Sequence, residues 1–249
     1  MAAATFGAAL LSSITGGTSL LTVPLLMIAG LDAQEAIATN MVLVAILSGG
    51  ASAPYVVARK IRPSLVLPLA ATAVPGSLAG AMLTVALDEK VLRALISVAL
   101  LGIATLSLAQ PRLGAERRPV SRRSVNAGYV VLAVWALYGG LFSGGYATVL
   151  TLGIVTFFGE PLGDAIGEAK VVNFVGSLAA SLVFVTRGQV HWQLIPWMGA
   201  GAALGGSCGA WLALRARPQQ LRRLFALVLA GIGAKVGYAS LGTGRTSQP

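Results

Sequence analysis

Ser12-Ser13-Ile14-Thr15-Gly16-Gly17-Thr18-Ser19 interrupts the first apolar segment of this 249-residue chain with a glycine pair among small hydroxyl side chains. Ser143-Gly144-Gly145 interrupts a second apolar segment in the same way, about 128 residues later. Glycine permits a non-helical bend, and neighbouring hydroxyls can satisfy the backbone groups that the bend exposes. The two stretches therefore predict that each of these segments is broken into two half-helices.

The glycine pairs belong to an internal repeat that covers the whole chain. At an offset of about 129 residues, matching landmarks recur in the same order: Ala36-Ile37 and Ala165-Ile166, Arg59 and Arg187, Pro68 and Pro196, Leu92-Arg93 and Leu221-Arg222. A duplicated apolar chain with corresponding broken helices is typical of a membrane transporter whose binding site lies at the repeat interface. We divide the chain into a first repeat (1–110), a basic linker (111–126) and a second repeat (127–245) within one membrane domain.

The composition indicates a membrane protein. Hydrophobic residues make up 56% of the chain and charged residues only 10%, whereas soluble domains carry about 25% charged residues. Eight apolar segments have about the 20 residues or more needed to cross a bilayer; they are 4–30, 33–57, 64–86, 90–109, 127–158, 163–186, 192–214 and 220–241. We predict an all-α polytopic membrane protein of two tandem four-segment repeats.

The basic residues predict the topology. The net charge is +10, but the arginines lie in short loops without a basic face or interleaved aromatic residues, which argues against nucleic-acid binding. If all eight segments cross, the loop Lys and Arg residues divide ten to six between the two sides; if segments one and five are re-entrant hairpins, they divide twelve to four. The sharper bias favours re-entrant hairpins, inverted repeats and basic loops on the cytoplasmic side of the inner membrane.

Soluble-enzyme chemistry finds no support in the sequence. His191 and Cys208 are the single histidine and the single cysteine, so the His/Cys/carboxylate cluster of a metal site is missing. A Walker loop and a dinucleotide fingerprint are also missing, which argues against an ATP-driven pump. We predict no catalytic residue, no metal and no cofactor. Transport would have to run on a gradient of the solute, of protons or of another ion.

Lys170 is the first candidate for a binding residue. It lies about seven residues into segment 163–186, roughly 10 Å along the helix, and an ionisable residue inside the membrane is a functional candidate by default. The repeat places Lys170 opposite Asn40, and a cation and an amide facing each other would suit an anion with several oxygens. The alternative is that Lys170 reaches the surface, or pairs there with Glu168 or Asp164.

The glycine pairs supply the second candidate. A half-helix that begins after Gly17 or Gly145 would direct free backbone N–H groups and its positive dipole end at the membrane centre. The alternative is close packing of small residues, the role we also predict for Gly76, Gly80, Gly205, Gly206 and Gly209. The predicted substrate-binding residues are Gly16, Gly17, Thr18, Ser19, Thr39, Asn40, Ser143, Gly144, Gly145, Lys170 and Asn173.

The order of these motifs resembles the TauE/SafE sulfite exporter family. The resemblance rests on the two glycine-rich broken starts, on Ala36-Ile37-Ala38-Thr39-Asn40 and Ala165 to Lys170, and on the basic turn Arg59-Lys60-Ile61-Arg62. It implies a transporter that moves sulfur-containing anions, such as sulfite or organosulfonates, across the inner membrane. It also implies that the glycine breaks, Thr39-Asn40 and Ala169-Lys170 face the solute.

The sequence thus predicts a secondary transporter that exports small sulfur-containing anions by alternating access, with the solute bound at the repeat interface. Its expected partners are a small anionic solute, the lipid bilayer and a coupling proton or other ion. Two alternatives stay open, namely a passive anion channel on the same scaffold and a non-transporting membrane scaffold or assembly subunit. The direction of transport, the coupling ion and the oligomeric state are not fixed by the sequence.

Overall fold

The computed structural model of the chain describes residues 2–15, 18–92, 94–96, 98, 116–216 and 220. Helices are the regular elements of these residues: α1 (Ala2–Thr15), α2 (Ser19–Ile28), α3 (Ala33–Val57), α4 (Pro63–Ala86), α5 (Arg122–Leu141), α6 (Tyr146–Phe158), α7 (Leu162–Thr186) and α8 (Ile195–Arg215). A further helical stretch begins at Glu89 and is described in part. Most of the predicted segments 90–109 and 220–241, together with Gly16 and Gly17, lies outside the described residues.

Four of the described helices are long and apolar enough to cross a membrane. These are α3, α4, α5 and α7, which have between 20 and 25 residues. At 1.5 Å per residue they are about 30–37 Å long, which matches the hydrocarbon thickness of a bilayer. The helices α2 and α6 are apolar but shorter, with 10 and 13 residues.

The second glycine-containing segment is interrupted in the structure, because α5 and α6 are separated by residues 142–145. In the first segment α1 ends at Thr15 and α2 begins at Ser19, and the glycine pair between them lies outside the described residues. At the second interruption Ser143 has a φ of 62° and Gly145 a φ of 75°. These left-handed backbone angles end a right-handed helix, and glycine adopts them without a Cβ penalty. The predicted segment 127–158 is therefore two helices.

The beginning of α5 lies beside the end of α6. The Ser124 hydroxyl donates a hydrogen bond to the Phe157 carbonyl oxygen at 3.0 Å, and the Arg118 backbone N–H donates to the Gly159 carbonyl oxygen at 2.9 Å. The Ser121 hydroxyl caps α5 by accepting from the Ser124 N–H at 3.2 Å. Because of this cap, α5 begins at Arg122 and includes the last residues of the predicted basic linker.

Glycines bring α4 close to α5 and α8 close to α1. α4 packs along α5, and α8 packs along α1. A Cβ on Gly80 would collide with the Leu137 carbonyl oxygen, and a Cβ on Gly209 with the Leu10 carbonyl oxygen. Close backbone approach at small residues is a common way for membrane helices to associate. The predicted packing role is confirmed for the whole set, which is Gly76, Gly80, Gly205, Gly206 and Gly209.

We expect Gly80→Ala to lower the free energy of unfolding by about 1–3 kcal/mol, the range for overpacked sites. Its Cβ would push α4 away from the backbone of α5 at Leu137 and Leu141. Gly7→Ala is the matched control, because a Cβ there meets nothing within 4 Å. Thermal unfolding of the purified proteins in detergent measures the difference, and equal stability of both variants would contradict the prediction.

α3 and α7 form an antiparallel pair at the centre of the helix assembly. Gly167 faces the Tyr55 ring, Asn173 is hydrogen-bonded to Ser48, and Phe174 faces Gly49. α3 also packs against α8, and α7 packs against α4. Apolar side chains form one cluster around Tyr55 and Ile166 and another around Met41 and Phe184, so the middle of the α3–α7 pair lies between two apolar clusters.

Candidate functional site

Buried polar side chains line α3 and α7 and surround the interruption between α1 and α2. Lys170, Asn173, Ser177 and Ser181 share one face of α7, because residues three or four apart are neighbours on a helix. Burying polar groups in an apolar interior costs free energy. We call the following set the polar stripe; each member is at most 8% exposed: Ser12, Thr18, Thr22, Asn40, Ser48, Ser52, Lys170, Asn173, Ser177 and Ser181.

Lys170 joins α7 to the end of α1. Only 2% of the residue is exposed, and its Nζ donates a hydrogen bond to the Ser12 carbonyl oxygen at 2.8 Å. Ser12 lies in the last turn of α1, where carbonyl oxygens have no partner within the helix and the dipole is negative. Asp164 is bound instead by the surface residue Lys60 at 3.6 Å. The alternative that Lys170 pairs with Asp164 at the surface is therefore wrong.

A chain of hydroxyl groups connects Lys170 to Asn40. The Thr18 hydroxyl donates to the Ser12 hydroxyl, and the Thr22 hydroxyl donates to Oδ1 of Asn40. The Thr22 hydroxyl also lies 3.2 Å from the Thr18 carbonyl oxygen. The first turn of α2 therefore bridges Lys170 of α7 and Asn40 of α3.

Asn40 and Lys170 do not face each other directly. Ser48 is level with Asn173 on the antiparallel α3–α7 pair. Asn40 lies eight residues before Ser48 and Lys170 three before Asn173, so their Cα atoms are offset by about 16 Å along the helix axes. The expectation of direct juxtaposition is corrected, because equivalent positions in two antiparallel helices lie toward opposite ends of the pair.

A second set of hydrogen bonds crosses the middle of the α3–α7 pair. Nδ2 of Asn173 donates to the Ser48 hydroxyl at 2.8 Å, and the Ser177 hydroxyl donates to Oδ1 of Asn173 at 3.4 Å. The Ser181 hydroxyl donates to the Ser177 carbonyl oxygen at 2.7 Å. These bonds continue the polar stripe from the level of Lys170 toward the level of Asn40.

Several buried donors at the two interruptions have no hydrogen-bond partner among the described residues. They are Nδ2 of Asn40, the Ser143 hydroxyl and the Tyr146 hydroxyl. An unsatisfied buried polar group costs about 1–3 kcal/mol, and the amide nitrogen of asparagine carries two donor hydrogens. Donors of this kind are suited to bind the oxygens of an anion.

The remaining predicted residues lie in different surroundings. Ser19 is buried at the start of α2, and the Gly144 carbonyl oxygen accepts a hydrogen bond from the Tyr138 hydroxyl. Gly145 directly precedes α6, and its carbonyl oxygen accepts from the Val149 N–H at 3.1 Å. The Thr39 hydroxyl accepts from the His191 N–H at 3.0 Å, so it binds the connection between α7 and α8 and not the polar stripe.

Six residues of the polar stripe are missing from the predicted binding set. These are Ser12, Thr22, Ser48, Ser52, Ser177 and Ser181. Helical spacing gives a signal for several of them, since Thr22 follows Thr18 by four residues and Ser177 follows Asn173 by four. Ser12 takes part through its backbone carbonyl oxygen, which its residue type does not reveal.

Comparison with known proteins gives the family. The model of the family described as Sulfite exporter TauE/SafE matches residues 1–236. The chain belongs to the TauE/SafE sulfite exporter family. This TauE/SafE protein is a membrane transporter and not an enzyme. Its apolar helices and its relatives identify it as an integral membrane protein, which places it in contact with membrane lipid and a small solute.

Individual relatives of this TauE/SafE protein match nearly its full length. It is 32% identical to "Probable membrane transporter protein YfcA" of Escherichia coli K12, over 94% of this chain and 87% of that one. It is 28% identical to a "Probable membrane transporter protein" of Haemophilus influenzae, over 94% and 91% of the two chains. No solved structure matches the chain.

Proposed function

We propose that this TauE/SafE protein is a secondary transporter of the inner membrane that exports small sulfur-containing anions such as sulfite or an organosulfonate. The observation that carries the proposal is the buried Lys170, connected through Ser12, Thr18 and Thr22 to Asn40. A lysine beside amide and hydroxyl donors suits an oxyanion, because charge-assisted hydrogen bonds to anionic oxygens are the strong ones.

The half-helices add to this proposed site. α2 begins next to Thr18, whose hydroxyl is bound to Ser12, so its positive dipole end lies near the residue that Lys170 contacts. α6 begins after Ser143, Gly144 and Gly145, and the Ser143 hydroxyl has no partner in the described part of the chain. Backbone N–H groups at helix N-termini bind anions. The proposed solute contacts therefore lie along a path and not at one point: Lys170 and Asn173 at one level, Asn40 about 16 Å from Lys170 along the helix axes, and the starts of α2 and α6.

The packing of the helices supports inverted repeats. If α1 and α2 correspond to α5 and α6, α3 to α7 and α4 to α8, then the pair α1–α8 corresponds to α5–α4. The pair α3–α8 likewise corresponds to α7–α4, and the corresponding helices α3 and α7 are antiparallel. Although α5 is long enough to cross a membrane, its beginning lies beside the end of α6, so in the proposal α5–α6, like α1–α2, is a re-entrant hairpin. Repeats 1–110 and 127–245, joined by the linker 111–126, rock about the site in alternating access.

The basic residues support an orientation in the membrane. Arg62 of the α3–α4 turn and Arg117 before α5 both bind Glu160 of the α6–α7 turn, so these three connections lie at one end of the molecule. Tyr55 and Ala213 share an apolar cluster, which places Arg215, at the end of α8, toward the same end. In the proposal this basic end is cytoplasmic.

Thermal unfolding of the purified protein in detergent tests the proposal. Sulfite, thiosulfate, sulfate, methanesulfonate and acetate are added in turn. We expect sulfite or methanesulfonate to raise the free energy of unfolding by about 2.7 kcal/mol at 100 times its dissociation constant. Flux in proteoliposomes is expected to saturate with the same anion. The absence of any stabilisation would indicate a scaffold protein, and flux that does not saturate would indicate a channel. Either result would overturn the proposal.

A further inference from the structure

Glu168 is a buried carboxyl group that the proposed anion site does not use. It lies two residues before Lys170 in α7, and the residue is 0% exposed. Its Oε1 accepts a hydrogen bond from the Arg62 backbone N–H at 3.3 Å. Its Oε2 has no hydrogen-bond partner among the residues that the structure describes.

The charged groups around Glu168 are bound to other partners. The Arg62 guanidinium binds Glu160, and Arg117 binds the same carboxylate at 2.7 Å. Asp164, one helical turn before Glu168, is bound by Lys60. On the other side, Lys170 donates to the Ser12 carbonyl oxygen.

From α3, Tyr55 contributes a buried hydroxyl that has no hydrogen-bond partner within the described ranges. Its ring faces Gly167, the residue next to Glu168. None of the ion pairs that the structure gives for the described residues includes Glu168. A carboxylate in this position keeps its charge at a high cost in free energy, whereas a protonated carboxyl group does not carry that cost.

We propose that Glu168 is the proton-binding site that couples a proton gradient to anion movement. This inference rests on the proposed transport function. A proton from water forms an O–H bond with a Glu168 carboxylate oxygen and returns to water when the site opens to the other side. In this proposal the proton reaches Glu168 from the water at the basic end by passing Asp164. Asp164 lies one turn closer to that end, and its side chain is 22% exposed. In this proposal Lys170 binds the anion and Glu168 binds the proton, and both residues belong to α7.

The repeat provides an internal comparison for this assignment. Glu168-Ala169-Lys170 of the second copy corresponds to Ala38-Thr39-Asn40 of the first. The two ionisable side chains, Glu168 and Lys170, therefore belong to α7, and the corresponding turn of α3 has no ionisable side chain. A role in packing alone would not require a titratable group at this position, since the equivalent residue of the first repeat is an alanine buried at 0% exposure.

The structural alternative is that Glu168 only holds the start of α4 through the Arg62 N–H. Glu168→Gln separates the two roles, because the amide oxygen can still accept this hydrogen bond but the side chain cannot take up a proton. Glu35→Gln is the control. Glu35 is a partly exposed carboxylate beside His191, and the two side chains lie near the end of the molecule opposite Arg62.

The experiment uses the full chain in proteoliposomes with labelled methanesulfonate, whose charge does not change over the working pH range. Exchange of labelled for unlabelled anion is measured at equal pH, and accumulation is measured with only a pH gradient. We expect wild type and Glu35→Gln to show both activities. Glu168→Gln is expected to retain exchange while its gradient-driven accumulation falls to the level of protein-free liposomes. Wild type without gradient-driven accumulation, or Glu168→Gln that retains it, would overturn the inference.

Infrared difference spectroscopy gives a second test that needs no transported solute. On acidification we expect a protonated-carboxyl C=O band in wild-type nanodiscs that is missing from Glu168→Gln. Identical spectra would overturn the assignment. If the wild type neither binds nor exchanges any anion, the proposed function fails, whereas the infrared titration still decides whether Glu168 takes up a proton.

Discussion

Lys170→Ala is expected to remove much of the stabilisation by sulfite and to reduce saturable flux to background, while the protein still inserts and folds. The variant removes the ammonium group that we place against the anion. Hydrogen bonds to charged groups contribute about 1.5–3 kcal/mol, which corresponds to a loss of about 10-fold to 150-fold in affinity. Thermal unfolding with increasing sulfite and flux in liposomes measure the two losses.

Two further variants separate charge from packing at Lys170. Lys170→Met keeps a flexible side chain of similar length without the ammonium group, so it should lose sulfite binding as Lys170→Ala does. Lys60→Ala removes a lysine whose side chain is 52% exposed, and it should bind sulfite as the wild type does. Normal sulfite flux in Lys170→Ala would refute the proposed site.

Asn40→Asp is expected to have the second large effect. Aspartate keeps the shape of the side chain and the oxygen that accepts from the Thr22 hydroxyl, but it adds a negative charge at a position that is 0% exposed. Removing a partner from a buried charge costs about 3–5 kcal/mol, and we expect a similar loss from an added buried charge without a counter-ion. The charge should also repel the anion, so thermal unfolding should show a less stable protein that sulfite no longer stabilises.

Asn126→Asp is the matched control for this substitution. Asn126 is exposed one turn after Arg122 at the beginning of α5, so the new carboxylate is not buried and has an arginine four residues before it on the same helix face. We expect its stability and sulfite response to remain close to wild type. If Asn40→Asp and Asn126→Asp unfold at the same temperature and respond equally to sulfite, Asn40 does not face the bound anion.

Local sequence predicted the helix interruptions because their cause is local. A glycine pair flanked by hydroxyl residues permits a backbone that a helix cannot continue, and the left-handed angles of Ser143 and Gly145 are the observed result. The packing roles of Gly80 and Gly209 were also predictable, since a small side chain in an apolar helix permits close contact with any neighbour. For the same reason the sequence did not predict which helix each glycine contacts. Gly80 contacts α5, and Gly209 contacts α1.

The candidate site was predictable only in part. Lys170 and Asn173 were found because an ionisable residue in an apolar segment is costly and the residue three positions later shares its face. The contact between Lys170 and the Ser12 carbonyl oxygen joins residues far apart in the sequence, through a backbone atom that every residue type carries. No sequence pattern encodes such a contact.

The sequence by itself determined the membrane location, the interruption of segment 127–158 and the family, because each depends on composition, on the position of a glycine pair or on residue order. Only the tertiary structure decided which polar groups meet. The antiparallel packing of α3 and α7 moved Asn40 and Lys170 apart, and the first turn of α2 connected them through Thr18 and Thr22. These relations depend on the direction and register of packed helices, and the spacing of residues within one helix does not specify either.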